Sequence, residues 1–336
     1  MPAYSIRSYT PADYTDWEQF VRSSNNGTLF HRQDFLSYHT PNKFTFRHLM
    51  VYGGNTLMAV IPGGEVIDQI HGTKKFWSPM GASYGGIVSA DLSYQTAQDI
   101  VDAFVEYGYL QGWSDCYLIP PPFMYQTHQQ QHIEYAMLFR RFTHELHYIS
   151  HAIDVRTWQL QGDQFVEHFD KTARKSVRKT LKTDGLRIEQ STGSMADYRA
   201  FHHILQENKK KHNATPTHSL DDLLRLQDLV PESLQLLMVY LHDTPIAGSL
   251  LFACNPHVLL CFYNMLLYEY QEYKPVYLIM YETVRRAIEG GFRYVDIGVS
   301  QVPADPNPMT PALDLITYKE RFNAKGFLRS TYHFRF

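Results

Sequence analysis

A helix that closes on glycine and leads into a buried strand occurs twice in this chain, and this repetition restricts the fold. In the first half, the amphipathic run 97–110 ends at Gly112, and a strand-like segment follows. In the second half, the run 278–289 ends at Gly290 and Gly291, again before a strand-like segment. Glycine supplies the left-handed residue that commonly ends a helix. Two helix–strand units of this kind indicate a repeated α/β architecture.

A hairpin signal precedes each of these units. Residues 50–62 and 238–252 both read as a strand, a polar turn and a second strand. The 336 residues are enough for two domains of ordinary size. We therefore predict an N-terminal unit over 1–155 and a C-terminal unit over 156–336, and we expect the C-terminal unit to carry most of the candidate site residues.

The second half begins with three predicted helices. The first is predicted from Phe165 to Thr183 as one continuous helix, with Asp163 as its N-cap. A second is predicted from Asp197 to Lys211. The third follows Ser219, and Asp222 three residues later completes an approximate capping box.

The composition excludes several classes of protein. Hydrophobic residues make up 44% of the chain and the net charge is −3, so neither disorder nor a globally basic nucleic-acid binder is expected, although a local basic patch fits these values. Cys116, Cys254 and Cys261 are far apart and form no CxxC pair, which argues against a disulfide scaffold or a cysteine-rich zinc site. The chain shows neither a signal-peptide pattern nor an apolar run long enough for a membrane span. We expect a cytoplasmic protein.

The first predicted helix of the second half carries a dense run of positive charge. Six cations fall within about three turns, with no acid between them: Lys171, Arg174, Lys175, Arg178, Lys179 and Lys182. Like charges this close repel one another, so a bound anion would stabilise the segment. Guanidinium groups offer forked donors to phosphate, which makes Arg174, Arg178 and Lys175 candidate anion-binding residues. A solvated helix face is the alternative, and charge alone favours it.

Two charged residues near the end of the chain are candidates for chemistry. Asp296 follows a strand of apolar type, where a carboxylate is costly to bury unless it is paired. At the carboxyl end of a strand it would face a cleft, whereas the alternative is that it holds a neighbouring loop through backbone hydrogen bonds. Lys319 is followed by Glu320 and Arg321, a context that is by itself typical of a charged surface.

His218 and Tyr263 are weaker candidates. His218 precedes a predicted helix and would serve as a base or an anion contact, although a surface histidine is the commoner case. Tyr263 lies on a buried type of strand and would donate a proton to a leaving group. The commoner alternative is a core ring whose hydroxyl is hydrogen-bonded.

Several catalytic motifs are absent from the sequence. There is no HExxH, no GxSxG and no GxxxxGK[ST]. Metalloprotease, serine hydrolase and P-loop functions therefore lack support, and no metal ion is expected. The glycine-rich segment 81–86 reads as a turn that needs positive φ or close backbone approach.

Seven short segments, read in order along most of the chain, point to one family. They are 83–87 (SYGGI), 119–120 (IP) with Tyr125, 171–182 (KTARKSVRKTLK), 215–219 (TPTHS), 245–248 (PIAG), 296–300 (DIGVS) and 318–322 (YKERF). In order and spacing they resemble the FemAB-like branch of the GNAT acyltransferase superfamily.

This resemblance implies both a fold and an activity. The fold would be α/β (α+β), with two tandem GNAT-like units, each a mixed, mostly antiparallel sheet flanked by helices. FemAB proteins transfer an aminoacyl group from charged tRNA to an amine on a peptidoglycan precursor, and other relatives are N-acetyltransferases. By analogy, Arg174 and Arg178 would contact an anionic group, Ser300 would join them in substrate binding, and Lys319 would lie near the transferred acyl group or the acceptor.

We therefore expect an N-acyltransferase that moves an acetyl or aminoacyl group onto an amine, such as that of a cell-wall or nucleotide-linked precursor. Asp296 or His218 would act as general base. Lys319 would stabilise developing negative charge or fix the acceptor, and Tyr263 would protonate the leaving group. The alternative is a non-catalytic protein that binds an anionic ligand or RNA.

The sequence leaves the acyl donor open between acyl-coenzyme A and aminoacyl-tRNA. Coenzyme A-dependent relatives usually carry a glycine-containing loop whose N–H groups cradle the pyrophosphate. The corresponding segment, 268–277, has no glycine, and Pro275 lacks an N–H group. Glu269 and Glu272 would also repel phosphate. We expect a poor coenzyme A site of the usual kind, which keeps tRNA among the candidate partners.

Overall fold

The computed structural model describes residues 4–211 and 214–336, and the chain forms two compact units. The first unit comprises residues 1–148, 306–309 and 328–336. The second comprises residues 149–305 and 310–327. Across the two described ranges, no helix combines the length and the apolar character needed to cross a bilayer.

The first unit is built from short strands and four helices within its described residues. In chain order these elements are β1 (Tyr4–Ser8), α1 (Tyr14–Ser23), α2 (Gln33–Leu36), β2 (Leu49–Gly53), β3 (Thr56–Ile61), β4 (Gly64–Ile67), β5 (Lys74–Ser78), β6 (Val88–Ser89), α3 (Tyr94–Gln111), β7 (Trp113–Leu118) and α4 (His132–Phe139). Strand β8 (Thr143–Asp154) begins in this unit and ends in the second.

The second unit contains the remaining elements. They are α5 (Lys171–Thr180), β9 (Leu186–Gln190), α6 (Met195–Lys211), α7 (Leu220–Leu229), β10 (Leu234–Leu241), β11 (Thr244–Asn255), β12 (Val258–Leu266), α8 (Pro275–Glu289), β13 (Tyr294–Val299) and α9 (Leu313–Glu320). Strand β14 (Lys325–Arg335) begins in this unit and returns to the first.

In the first unit, strands β1, β2, β3 and β6 form an antiparallel sheet in that order. Strands β4, β5, β7 and β14 also follow one another, with β5 and β7 parallel and the other pairs antiparallel. Aromatic rings fill the core between helix α3 and these strands. The rings of Phe76 and Trp113 stack with centroids 4.5 Å apart, and Phe104 of α3 packs against both.

In the second unit, the strand order is β8-β13-β12-β11-β10-β9. Strands β12 and β13 run parallel, and the other neighbours are antiparallel. Helices α5 and α8 contribute to the main core, whereas α6 packs on β11 and β12. Gly248 of β11 permits that packing, because a Cβ atom there would lie 2.7 Å from the ring of Phe201 in α6. The mixed sheets and flanking helices confirm the predicted fold class.

Most predicted helices are confirmed. Helix α3 ends at Gly112 with φ of +67°, and α8 is followed by Gly290 and by Gly291 with φ of +71°. Helix α7 carries the predicted capping box, in which the hydroxyl of Ser219 accepts from the N–H of Asp222.

The predicted continuous helix from Phe165 to Thr183 was wrong. A 3₁₀ segment, Gln161–His168, precedes α5, and Phe169 between them is extended. Asp170, not Asp163, is the N-cap, because its carboxylate accepts from the N–H of Ala173 at 2.6 Å. Asp163 has φ of +57°, which lies outside the extended region that an N-cap residue adopts.

Candidate functional site

Strands β12 and β13 are paired over only part of their length, and the candidate site lies where this pairing ends. The last paired residues are Leu260 and Asp296, although β12 continues to Leu266 and β13 continues to Val299. Beyond Asp296, strand β13 bulges against β8, and Gly298 adopts φ of +73°. This positive φ favours glycine and turns the end of the strand. Beyond Leu260 and Asp296, the backbone N–H and C=O groups of β12 and β13 therefore do not hydrogen-bond one another.

Lys319 of α9 fastens the turned end of β13. Its Nζ atom donates to the carbonyl oxygens of Gly298 and Val299, at 2.8 and 2.9 Å, and to Oγ of Ser300 at 2.9 Å. An ammonium group has three hydrogens, so these bonds use all of them. Lys319 is thus a buried residue, 5% exposed, and not part of a charged surface. These hydrogen bonds hold the ammonium group at the end of β13.

Ser300 extends this network to a histidine that sequence analysis did not single out. Ser300 Oγ lies 3.0 Å from Nδ1 of His151 in β8, and both residues are buried. Because Lys319 donates to Ser300, the serine hydroxyl hydrogen is available to His151, whose Nδ1 then accepts. Burial and the nearby charge of Lys319 both lower the pKa of His151, which favours the neutral ring that can accept there.

Asp296 is fully buried and completes the polar cluster. Its Oδ1 atom accepts from the N–H of Gly298 at 2.7 Å and from Oγ of Ser150 at 3.1 Å. These bonds match the expectation that the carboxylate holds a neighbouring loop. The same carboxylate opposes the loss of charge on Lys319, whose pKa burial lowers from 10.5 to about 8. The structure thus brings Lys319, Asp296 and Ser300 together, as three of the predicted site residues.

Next to this cluster, the α8 side of β12 presents more polar side chains. The Sγ atom of Cys261 lies 3.5 Å from Oγ of Ser249, and burial raises the pKa of the thiol to about 11. The thiol is therefore protonated at neutral pH and is a poor nucleophile. The hydroxyl of Tyr318, the residue before Lys319, donates to the carbonyl oxygen of Val276 in α8 at 3.2 Å. Asn264 lies near the same hydroxyl and opposes the rise in its pKa that burial causes.

His218 and Tyr263 form a separate pair. The hydroxyl of Tyr263 lies 2.8 Å from Nδ1 of His218, and both side chains are buried. The Tyr263 ring packs near Phe201 of α6, whereas Cys261 of the same strand belongs to the core with α8. Burial raises the pKa of Tyr263 to about 12, so its hydroxyl keeps its proton at neutral pH. The structure records no bond between this pair and Lys319.

The charged side chains of the basic helix α5 are exposed, and two of them already pair with a carboxylate. Arg174 donates to Glu167 at 2.6 Å, and Arg178 binds the other carboxylate oxygen of the same residue. Their side chains are 33% and 60% exposed, respectively. Lys175 is exposed as well. Repulsion among these cations favours a nearby anion, and Glu167, which lies just before the helix, provides one.

Helix α5 nevertheless starts beside the helix that carries Lys319. The backbone N–H of Asp170 donates to the carbonyl oxygen of Arg321 at 2.8 Å, two residues after Lys319. Further along, Ser176 of α5 accepts from Nζ of Lys274, the residue before α8, at 3.1 Å. Helix α5 is therefore anchored at its N-terminal end to the end of α9 and, through Ser176, to the residue before α8.

The start of α8 does not fit the phosphate cradle of a coenzyme A site. Pro275 occupies the first turn and has no N–H, while the N–H groups of Lys274 and Tyr277 donate to carbonyl oxygens of Gln271 and Lys274. Most of the donors that would face a pyrophosphate are thus absent or used. In the part of the chain that the structure describes, no three His, Cys, Asp or Glu side chains cluster as metal ligands would.

His151 and Asn264 were missed because their sequence context is ordinary. His151 follows Ser150 in an otherwise apolar stretch of β8. Two adjacent polar residues in such a stretch are the sequence signal that could have indicated this position. Asn264 likewise interrupts the apolar run of β12. A polar residue in a buried strand needs a partner, so the same physical reason that marks Asp296 as a candidate applies to His151 and Asn264.

Comparison with known proteins agrees with this geometry. Residues 167–306 match the acetyltransferase (GNAT) domain family. This match includes helices α5 to α8 and both strands of the candidate site, β12 and β13. No curated protein matches the chain significantly by sequence.

Solved structures of the same fold cover nearly the whole chain. FemX superposes with a TM-score of 0.74 at 12% identity, over 99% of this chain and 97% of FemX. The C-terminal domain of a protein from Agrobacterium fabrum, assigned as a lysylphosphatidylglycerol synthetase, gives 0.60 at 12% identity, over 96% and 91%. A tandem GNAT protein from the clavulanic acid biosynthesis pathway gives 0.54 at 8% identity, over 99% and 98%.

These identities are low, so the superpositions show the fold, while the family match bears on the second unit. Together they confirm the resemblance carried by the short sequence segments. Residues 167–306 therefore match a GNAT acetyltransferase domain, and the chain as a whole has the fold of FemX and of a tandem GNAT protein.

Proposed function

We propose that this protein is an N-acyltransferase that transfers an acetyl or aminoacyl group to an amine where β12 and β13 part. The observation that carries the proposal is the buried ammonium of Lys319, bonded to Gly298, Val299 and Ser300 at the end of β13. A fixed positive charge beside unpaired strand ends is suited to a reaction in which an oxygen becomes negative.

The reaction has a simple balance. The lone pair of a neutral amine forms a bond to the acyl carbon, and the carbonyl oxygen takes the negative charge. When the carbonyl reforms, the bond to the leaving group breaks and its electron pair departs with that group. The proton released by the amine nitrogen ends on the leaving group, so no net oxidation or reduction occurs. The protein has to align the reactants, stabilise the oxyanion and accept the proton for a time.

Lys319 acts in this scheme through its charge. Its hydrogens already serve β13, so it stabilises the oxyanion through space and holds the end of the strand in place. Asp296 keeps Lys319 charged by opposing the effect of burial on its pKa. Ser300 and the neutral ring of His151 form a chain of hydrogen bonds from the ammonium, along which a proton can shift. Asp296 and Ser300 are therefore positioning residues.

The acyl group proposed here includes aminoacyl groups for two reasons. The resemblance to FemAB proteins implies aminoacyl transfer, and the name of the superposed protein from Agrobacterium fabrum includes a lysyl group. The poor phosphate cradle at α8 also supports a donor other than coenzyme A. These points favour charged tRNA over acyl-coenzyme A as the donor, and we propose that the acceptor is an amine on a cell-wall or nucleotide-linked precursor. Arg174, Arg178 and Lys175 would then bind the anionic part of a reactant, which would replace Glu167 on the two arginines.

A radiolabelled transfer assay tests the proposal. The protein is incubated with labelled acetyl-coenzyme A or with labelled aminoacyl-tRNA, and with a UDP-muramyl peptide that carries a free amine. We expect label to move to the amine from one donor class. Lys319→Met should reduce this transfer at least a hundredfold, whereas Lys325→Met, which removes an exposed lysine of the same unit, should not.

Two outcomes would contradict the proposal. Transfer by Lys319→Met at the wild-type rate would show that the buried ammonium plays no part. Binding of tRNA or the muramyl peptide without transfer of either label would favour the alternative, a non-catalytic protein for an anionic ligand or RNA. Steep salt dependence of that binding would support the alternative further.

A further inference from the structure

Asn264 carries a buried hydrogen-bond acceptor that the protein leaves without a donor. The residue lies on the part of β12 beyond the last pairing with β13, opposite Ser249 of β11. Its Oδ1 atom is shielded from solvent, and within residues 4–211 and 214–336 no group hydrogen-bonds it. Native proteins leave few buried acceptors unpaired, because the lost hydration is not replaced. Such an atom in a candidate site points to a ligand.

Three donors of the candidate site are committed to other acceptors. Ser249 Oγ donates to the carbonyl oxygen of Tyr263 at 2.6 Å. The hydroxyl of Tyr318 donates to the carbonyl oxygen of Val276. Lys319 has given its hydrogens to β13 and Ser300. None of these groups can serve Asn264 without losing a bond that it already makes.

Asn264 lies beside Tyr318, close enough to oppose the rise in the tyrosine's pKa that burial causes. The Asn264 side chain is therefore part of the polar surroundings of Tyr318, and its Oδ1 is the buried atom without a hydrogen bond from any described residue.

We infer that Asn264 Oδ1 accepts a hydrogen bond from an N–H group of the acyl donor. The inference rests on the proposed function, because it assumes that the donor lies between β12 and β13. Two kinds of donor carry a suitable group close to the acyl carbon. One is the amide of the pantetheine arm in coenzyme A, and the other is the α-amino group of an aminoacyl ester. Asn264 is thus a substrate-binding residue that selects donors with nitrogen at this position.

Binding measurements with two probes test the inference and separate the two kinds of donor. The probes are coenzyme A and 3′-alanylamido-3′-deoxyadenosine, a stable relative of an aminoacyl-tRNA end, and titration calorimetry gives the Kd of each. We expect Asn264→Leu to weaken one probe at least tenfold. If the alanyl probe is the one affected, its desamino analogue should bind wild type and variant equally.

Asn264→Asp serves as a second variant of the same size. It keeps an acceptor oxygen and adds a negative charge, so it should tighten the alanyl probe if an ammonium lies there and should leave an amide probe within about twofold. Thermal melts of both variants check folding. Asn264→Leu that binds both probes as wild type does would overturn the inference, and so would a folded wild type that binds neither.

The transfer assay separates the inference about Asn264 from the proposed function. Acyl transfer by wild type together with unchanged binding in both Asn264 variants means that the inference about Asn264 fails and the proposed function stands. Absence of transfer from every donor means that the proposed function fails, whatever the probes show.

Discussion

Lys319 of α9 and Ser300, just beyond β13, share a hydrogen bond of 2.9 Å inside the second unit. The lysine ammonium donates and the serine oxygen accepts, so the serine hydroxyl can pass its own hydrogen to His151. These two hydrogen bonds link Lys319, Ser300 and His151, which lie in separate parts of the sequence. The Lys319 contact also buries a charge, which makes the stability of the protein sensitive to pH.

The first prediction concerns that pH dependence. Lys319 has a pKa of about 8 in the folded protein and about 10.5 when exposed, so between these values the unfolded chain holds a proton that the folded protein has lost. The free energy of unfolding therefore rises with pH by ~1.4 kcal/mol per unit in this window, about 3 kcal/mol in all. The contribution is present above pH 10.5 and is lost as the pH falls through 8.

Urea unfolding of wild type and Lys319→Met at several pH values measures this effect. The difference in unfolding free energy should shift in favour of wild type as the pH rises from 8 towards 10.5. Lys325→Met, which alters an exposed lysine, should follow wild type. A constant difference between wild type and Lys319→Met across the window would show that the lysine is not titrating there.

The second prediction concerns Glu167, which binds both Arg174 and Arg178. Glu167→Gln removes the carboxylate and leaves two guanidinium groups able to bind an external anion. We expect the variant to elute from heparin at higher salt than wild type, with a nearly unchanged melting temperature because the pairs are exposed. Glu189→Gln, which removes one of the acids beside Arg187 elsewhere on the same unit, is the matched control. Equal elution of both variants would mean that α5 has no special affinity for anions.

The third prediction concerns the start of α7. The Ser219 hydroxyl accepts from the N–H of Asp222 at 3.1 Å, and Asp222 returns a bond to the N–H of Ser219 at 3.0 Å. Ser219→Ala leaves the N–H of Asp222 without its side-chain acceptor and should lower the free energy of unfolding by about 1 kcal/mol. Ser219→Asp can still cap the helix and should lie within about 0.5 kcal/mol of wild type. A urea midpoint for Ser219→Ala equal to that of wild type would contradict the role of the capping box.

The fourth prediction concerns the pair formed by Tyr263 and His218. Their buried groups hydrogen-bond each other at 2.8 Å. Tyr263→Phe removes one hydrogen bond, so we expect a loss of about 1 kcal/mol in stability and less than about tenfold in kcat. Unfolding and transfer rates are measured on the same preparation. A hundredfold loss of kcat at unchanged stability would instead support Tyr263 as the proton donor to the leaving group.

Much of the fold was predictable because its signals are local. Gly112 and Gly291 mark helix ends through their own backbone conformation, and Ser219 marks a helix start through a residue three positions away. The one helix that was predicted wrongly, from Phe165 to Thr183, fails for a local reason as well. Asp170 is a better N-cap than Asp163, and both were visible in the sequence.

The candidate site was predictable only in part. Asp296 stood out because a carboxylate at the end of an apolar strand needs partners. Lys319 stood out only through the family resemblance, since the residues around it are typical of a surface. Nothing near Arg174 and Arg178 in their predicted helix indicated that Glu167 would neutralise both, because that pairing depends on the break at Phe169.

By itself, the sequence determined the elements, their glycine and serine boundaries and the family of the second unit, because these depend on neighbours a few positions apart. Only the tertiary structure decided which polar groups meet. Lys319 became a buried, fully bonded cation because α9 packs against the end of β13, and Asn264 kept a free acceptor because its neighbours' donors are used elsewhere. Hydrogen bonds between groups more than a hundred residues apart, such as that of Ser300 and His151, form only once the chain is folded.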